Sequence, residues 1–120
     1  MAGSGNTGLT RIIKAFGFSM QGLKAAYKLE EAFRQEVWLL IVTTPLALWL
    51  GDTGIEKALL IGSIMLLLIV EILNSAIEAT IDRFGGEIHE LSGRAKDMAS
   101  AGVFLAMANA GIIWILVLFF

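Results

Sequence analysis

The sequence predicts an all-α membrane protein in which one amphipathic surface helix precedes three transmembrane helices. Of the 120 residues, 57% are hydrophobic, and the mean hydropathy of +0.77 is far above that of an ordinary soluble domain. The apolar residues form long runs, and most charges collect between those runs. A chain of this length, residues 1–120, forms a single domain.

The first predicted element is a surface helix over residues of about 9–28. Apolar side chains recur there at the spacing of one helix face, and basic side chains occupy the other faces. A helix with one apolar and one basic side lies in the headgroup layer and does not cross the bilayer. A break near Gly17 or Gly22 is compatible with this pattern.

Transmembrane helices are predicted over residues of about 32–50, 55–82 and 98–120. The first apolar run, 37–50, has only fourteen residues, whereas a span needs about 20. The first transmembrane helix must therefore include residues 32 to 36. The last span is the clearest, because no charge follows Asp97.

A polar segment separates the second and third predicted spans. Gly85-Gly86 is expected to end the central helix, and 87–97 forms a compact polar stretch in which Ser92-Gly93 makes a second break. Most Lys and Arg residues lie before the first span or in this segment, with only Lys57 in the other loop. The positive-inside rule then predicts a cytoplasmic N-terminus and a periplasmic C-terminus.

A polar stripe runs along the central predicted helix. Glu71, Asn74, Ser75, Glu78 and Asp82 fall at i, i+3, i+4, i+7 and i+11, which is one face. A carboxylate at the bilayer centre costs roughly 2.5 kcal/mol or more, which favours a functional role. Solvation at the membrane surface, or hydrogen bonds that only join helices, would explain the stripe without a function. One chain offers too little surface to shelter the stripe, which predicts assembly with further copies.

The polar groups on the predicted cytoplasmic side are those that phosphoryl transfer uses. Carboxylates hold Mg²⁺, cations neutralise phosphate oxygens, and one acid accepts the proton of a hydroxyl. The set comprises Glu30, Glu71, Glu78, Asp97, Arg11, Arg94, Lys96 and Asn74. Neither a GxxxxGKS/T loop nor a Gly-rich kinase loop occurs, so another device must hold a nucleotide. The absence of cysteine excludes thiolate nucleophiles and thiolate metal sites.

Four strings stand out: TRIIKA (10–15), EAFRQE (31–36), EILNSAIEATIDR (71–83) and HELSGRAKDM (89–98). Together they resemble the prokaryotic diacylglycerol kinase family of small integral-membrane lipid kinases. The resemblance covers nearly the whole chain and implies a homotrimer in the bacterial inner membrane with active sites formed between subunits. The implied reaction uses ATP and Mg²⁺ to phosphorylate the free hydroxyl of diacylglycerol, giving phosphatidic acid.

The resemblance also implies roles for individual residues. Glu71 is the expected catalytic base, supported by Asn74, and Glu30 and Glu78 are the expected metal ligands. The expected ATP-binding residues are Arg11, Phe18, Glu30, Glu78, Glu87, Ile88, His89, Lys96 and Asp97. The expected lipid-binding residues are Arg11, Ala32, Phe33, Arg34, Gln35, Glu36, Glu71 and Ser100. Phe18 stands where family members often have tyrosine.

Two other functions fit parts of the sequence. A kinase of the same family acting on undecaprenol is the nearest, and the long basic surface helix favours diacylglycerol over it. A small proton-coupled transporter would also use an intramembrane glutamate, but the three predicted spans and the HELSGRAKD string argue against it. The predicted partners are lipids, ATP and further copies of the chain, with no nucleic acid.

Overall fold

The computed structural model describes residues 7–84 and 89–120, and the regular structure in these ranges is entirely α-helical. The helices are α1 (Gly8–Leu29), α2 (Glu31–Leu50), α3 (Gly54–Asp82) and α4 (Glu90–Phe119). The all-α prediction is confirmed, and α1, α2 and α3 each begin and end within a few residues of the predicted bounds. α1 is continuous through both of its internal glycines.

The start of α4 differs from the prediction. The expected break at Ser92-Gly93 is wrong, because α4 runs without interruption from Glu90. The Gly93 amide donates to the His89 carbonyl at 2.9 Å, as in a regular helix. A glycine inside a helix costs only about 1 kcal/mol of helix stability relative to alanine. The long helical segment that follows Gly93 offsets this cost. The predicted helix end at Gly85-Gly86 lies outside the described residues, and α3 ends at Asp82.

The junction of α1 and α2 is fixed by an arginine that caps the preceding helix. Only Glu30, with extended backbone (φ −113, ψ 109), separates the two helices. Arg34 Nη1 donates to the carbonyls of Tyr27 at 2.7 Å and Lys28 at 3.3 Å. These carbonyls end α1, where the helix dipole favours a cation. Trp38 Nε1 adds a bond to the Tyr27 hydroxyl at 3.1 Å.

α3 is the central helix and contacts the other three. One cluster of buried hydrophobic residues draws on all four helices and includes Ala26, Phe33, Ile64, Leu68 and Ala110. One indole joins α4 to α3: Trp114 Nε1 donates to the Leu60 carbonyl at 3.1 Å and to the Ser63 hydroxyl at 3.2 Å. Because these two hydrogen bonds lie within apolar stretches, they fix the register of α4 against α3, the two longest helices.

Among the described residues, α3 and α4 are long and apolar enough to cross a membrane. Only 33% and 11% of their most apolar windows are buried, so neither helix is the sheltered core of a soluble protein. Their outer surfaces require lipid or another chain to cover them. α2 is less apolar because Arg34 and Glu36 interrupt its first turns, and its crossing of the membrane stays a prediction.

Candidate active site

The polar stripe of α3 forms a hydrogen-bonded cluster. Asn74 Nδ2 donates to Glu71 Oε2 at 3.3 Å and to Glu78 Oε1 at 2.6 Å. Residues three before and four after Asn74 share its helix face, so one amide connects two carboxylates. Because both neighbours accept, the amide nitrogen, and not its oxygen, faces them. The predicted common face of these three residues is confirmed.

Glu71 is buried, with 6% of its surface exposed. Glu36 on α2 lies against it, since the two carboxyl groups are within hydrogen-bonding reach of each other. Glu36 Oε1 is also buried and has no hydrogen-bond partner among the described residues. Buried acceptors are nearly always paired in native proteins. Because carboxylates only accept hydrogen bonds, a bond between these two groups needs one shared proton, and it places Glu36 directly beside the expected base.

The first turns of α4 bring a cation to the C-terminal end of α3. Lys96 Nζ donates to Asp82 Oδ1 at 2.8 Å. This hydrogen bond and the Asp82 charge raise the pKa of Lys96, and the charge of Glu78 adds to the rise. Lys96 is therefore fully cationic at neutral pH, and the structure brings it to the same side of α3 as an expected metal ligand.

His89 caps α4 at its N-terminus. Its Nδ1 accepts a hydrogen bond from the Leu91 amide at 3.0 Å. In the neutral ring the hydrogen is then on Nε2, and the exposed ring can donate from that atom. Arg94 pairs along the helix surface with Glu90 at 3.6 Å. The remaining members of this predicted ATP-binding segment, Glu87 and Ile88, lie outside the described residues.

Glu30 lies at the α1–α2 junction, beside the stripe. It lines a cleft of about 240 Å³ that also includes Ser75 and Ala79 of α3. Its carboxylate has no side-chain partner within the described ranges. In the same ranges, no three His, Cys, Asp or Glu side chains gather as a metal site. Mg²⁺ takes one or two carboxylates and completes its shell with water and substrate phosphates, and the role of Glu30 and Glu78 as its ligands stays a prediction.

An apolar cavity of about 780 Å³ lies between α1, α2 and α3. Its lining is formed by Leu23, Lys24, Tyr27, Lys28, Phe33, Arg34, Val37, Leu40, Met65 and Leu68. Val37 follows Glu36 in sequence, and Leu68 precedes Glu71 by one helical turn, but neither glutamate is among the lining residues. Of the predicted lipid-binding residues, Phe33 and Arg34 line this cavity.

Several predicted site residues are not brought to the cluster. All of them are exposed, and none of their side chains makes a hydrogen bond in the part of the chain that the structure describes. They are Arg11, Phe18, Ala32, Gln35, Asp97 and Ser100. Within one chain, the structure thus assembles Glu71, Asn74, Glu78, Glu36 and Lys96, whereas these six residues stay apart from them.

Two contacts were not predicted from the sequence. The first is the pairing of Glu36 with Glu71, and the second is that of Asp82 with Lys96. Each joins two helices, so helical spacing within one element does not reveal it. The one available signal was charge: Glu36 is the last ionisable residue before an apolar run, and Asp82 is the last on the stripe.

The sequence was compared with known protein families and with individual proteins. The model of the prokaryotic diacylglycerol kinase family matches residues 17–118. The chain belongs to this family. The resemblance to this family is therefore confirmed. The matched residues cover the whole of α2 and α3 and parts of α1 and α4.

Three relatives, each named diacylglycerol kinase, match nearly the full chain. The relative from Haemophilus influenzae is 52% identical over 114 residues, which are 95% of this chain and 97% of the relative. The relative from Escherichia coli is 56% identical over 112 residues, or 93% and 92% of the two chains. The relative from Pseudomonas aeruginosa is 49% identical over 114 residues, or 95% and 93%. Membership in this kinase family, with two membrane-length helices, places the chain in a membrane.

Proposed function

We propose that this chain is a diacylglycerol kinase, which transfers the γ-phosphate of ATP to the free hydroxyl of diacylglycerol and releases phosphatidic acid and ADP. The observation that carries the proposal is the cluster in which Asn74 joins the buried Glu71 to Glu78, with the half-buried Glu36 of α2 against Glu71. In the proposed reaction the lipid hydroxyl donates its proton to Glu71 within this cluster. The family and the names of the three relatives support the same substrate.

Glu71 is the proposed general base. The oxygen of the lipid hydroxyl bonds to the γ-phosphorus while its proton passes to the Glu71 carboxylate, and the bond from that phosphorus to the bridging oxygen of ADP breaks. Asn74 holds the carboxylate in place through its amide. A positioned base of this kind contributes roughly 100- to 10,000-fold in rate.

The proposed nucleotide site lies at the C-terminal end of α3. Lys96 supplies a fixed positive charge there, and His89 can donate from Nε2. Glu30 and Glu78 are the proposed ligands of Mg²⁺, and the Asn74 bond occupies only one oxygen of Glu78. When bound, Mg²⁺ neutralises charge on the phosphate oxygens. The proposed site is completed by Arg11, Phe18, Glu87, Ile88 and Asp97.

The proposed lipid site is the cavity between α1, α2 and α3. Its apolar wall suits an acyl chain, and the hydroxyl of the same lipid is proposed to reach Glu71 farther along α3. Arg34 lines this cavity, and its guanidinium is already fixed by α1. Proposed contacts outside the cavity are Arg11, Ala32, Gln35 and Ser100.

The proposed assembly is a homotrimer of chains that each cross the inner membrane three times through α2, α3 and α4. The N-terminus and the active site face the cytoplasm, and the C-terminus faces the periplasm. Site residues that stay exposed in one chain, such as Arg11 and Asp97, support sites completed by a neighbouring copy. Cross-linking in active bilayers that yields only monomers would refute this assembly.

A radiolabelled-ATP assay with purified protein tests the proposed activity. Diacylglycerol and undecaprenol are offered separately in mixed micelles, each with and without Mg²⁺. Label should enter phosphatidic acid in the Mg²⁺ sample and disappear when the metal is chelated. Absence of labelled phosphatidic acid would overturn the proposal, and label confined to undecaprenyl phosphate would replace diacylglycerol with a polyprenol as the substrate.

A further inference from the structure

An ion pair joins the last turn of α3 to the start of α4. Asp82 Oδ1 accepts a hydrogen bond from Lys96 Nζ at 2.8 Å, across fourteen positions of sequence. The other described pair, Arg94 with Glu90, lies along one helix and is longer, at 3.6 Å. Asp82 has no role in the proposed function, although its partner is a proposed ATP-binding residue.

The ion pair restricts a side chain that is otherwise highly mobile. Lysine carries its charge on a flexible four-carbon stem, and much of its rotamer freedom is lost when a ligand immobilises it. In this structure Asp82 already holds the ammonium group, yet 41% of the Lys96 side chain remains exposed. An ammonium has three hydrogens, so two of them stay available for phosphate oxygens.

We propose that Asp82 is a positioning residue that holds Lys96 in the orientation in which it meets the triphosphate of ATP. The inference rests on the proposed function, because it takes ATP as the ligand of Lys96. Part of the entropic cost of fixing the lysine is incurred before the nucleotide binds, and binding is correspondingly tighter.

A different effect of the same carboxylate predicts the opposite result. Asp82 is negatively charged and lies close to the proposed phosphate site, so its field alone repels ATP. If the field dominated, removing the charge would lower KM for ATP. If positioning dominates, removing it raises KM. The direction of the change therefore distinguishes positioning from simple repulsion.

The variant Asp82→Asn tests the inference, with Glu90→Gln as the matched control. Both changes remove one negative charge and one ion pair near the start of α4. With saturating diacylglycerol, Asp82→Asn should raise KM for ATP by roughly three- to ten-fold, the range expected for one immobilised side chain, while kcat changes by less than about two-fold. Glu90→Gln should change both constants by less than about two-fold, because its partner Arg94 is not a proposed ligand of ATP.

Two further variants separate the ion pair from a general structural role. Asp82→Glu keeps the carboxylate and should restore KM for ATP toward the wild-type value. In a Lys96→Ala background, Asp82→Asn should produce no additional rise in KM, because the partner that it positions is gone.

The inference is overturned if Asp82→Asn leaves KM for ATP unchanged or lowers it, if Asp82→Glu is impaired as much as Asp82→Asn, or if the effect persists without Lys96. Wild-type protein in the same assay distinguishes failure of the proposed function from failure of the positioning role of Asp82. Wild-type protein that fails to phosphorylate diacylglycerol contradicts the proposed function itself. Active wild-type protein with an unaffected Asp82→Asn variant contradicts only the positioning role.

Discussion

Asn74 provides the sharpest test of how the cluster is organised. Asn74→Ala removes both bonds of its amide, the short one to Glu78 at 2.6 Å and the longer one to Glu71 at 3.3 Å. A hydrogen bond to a charged group contributes about 1.5–3 kcal/mol, and the short bond should account for most of the loss. We therefore expect kcat/KM for Mg-ATP to fall by roughly 10- to 100-fold.

Asn74→Asp has the same shape but replaces the donor with a third carboxylate. It should be at least as impaired as Asn74→Ala, because like charges then crowd one helix face. Since Glu78 loses the stronger bond, both variants should also need more Mg²⁺ for half-maximal rate. The assay is lipid phosphorylation in mixed micelles across a Mg²⁺ titration.

Ser75→Ala is the matched control for these variants. Ser75 lies on the same stripe, but its hydroxyl forms no hydrogen bond to either glutamate in the described ranges. Its kcat/KM should stay within about three-fold of wild type. Asn74→Ala activity equal to that of Ser75→Ala, or wild-type activity in Asn74→Asp, would refute the idea that the amide organises the two carboxylates.

Three further predictions concern stability. Trp114→Phe loses the indole bonds to α3 and should lower the free energy of unfolding in micelles by about 0.6–1.7 kcal/mol. Trp49 is 78% exposed, so Trp49→Phe should leave the free energy of unfolding unchanged. Equal effects of the two substitutions would contradict the role of the indole bonds. Arg34→Ala uncaps α1 and should speed amide hydrogen exchange in its last turn by roughly three- to ten-fold, and unchanged exchange would exclude the cap. Glu36→Gln replaces the shared proton of the carboxyl pair with a permanent amide donor to Glu71 and should raise the unfolding free energy by about 1 kcal/mol; a decrease would count against the carboxyl pair.

The helices and the α3 stripe could be predicted because both are local. Apolar periodicity and the turn at 51–54 defined α2 and α3, and helical spacing alone placed Asn74 between two glutamates. The start of α4 was mispredicted for a physical reason. Gly93 is a weak helix former, but the segment that follows is long enough to keep it helical, and a local rule does not weigh that contribution.

Contacts between helices could not be predicted from the same patterns. The Glu36–Glu71 and Asp82–Lys96 pairs depend on how neighbouring helices slide and rotate against each other, which is decided by core packing around residues such as Leu68 and Ala110. The exposed members of the predicted site could not be placed from the sequence for a second reason. Their positions relative to the cluster depend on how copies of the chain assemble, and one chain does not determine that.

Glu71→Gln tests the central claim most directly, because it keeps the shape of the proposed base and removes its ability to accept a proton. The measurement is lipid phosphorylation from radiolabelled ATP, together with equilibrium binding of ATP to the same preparation. The rate should fall by at least about 100-fold, while the dissociation constant for ATP stays within about three-fold of wild type. Near-normal phosphorylation by Glu71→Gln would contradict the account.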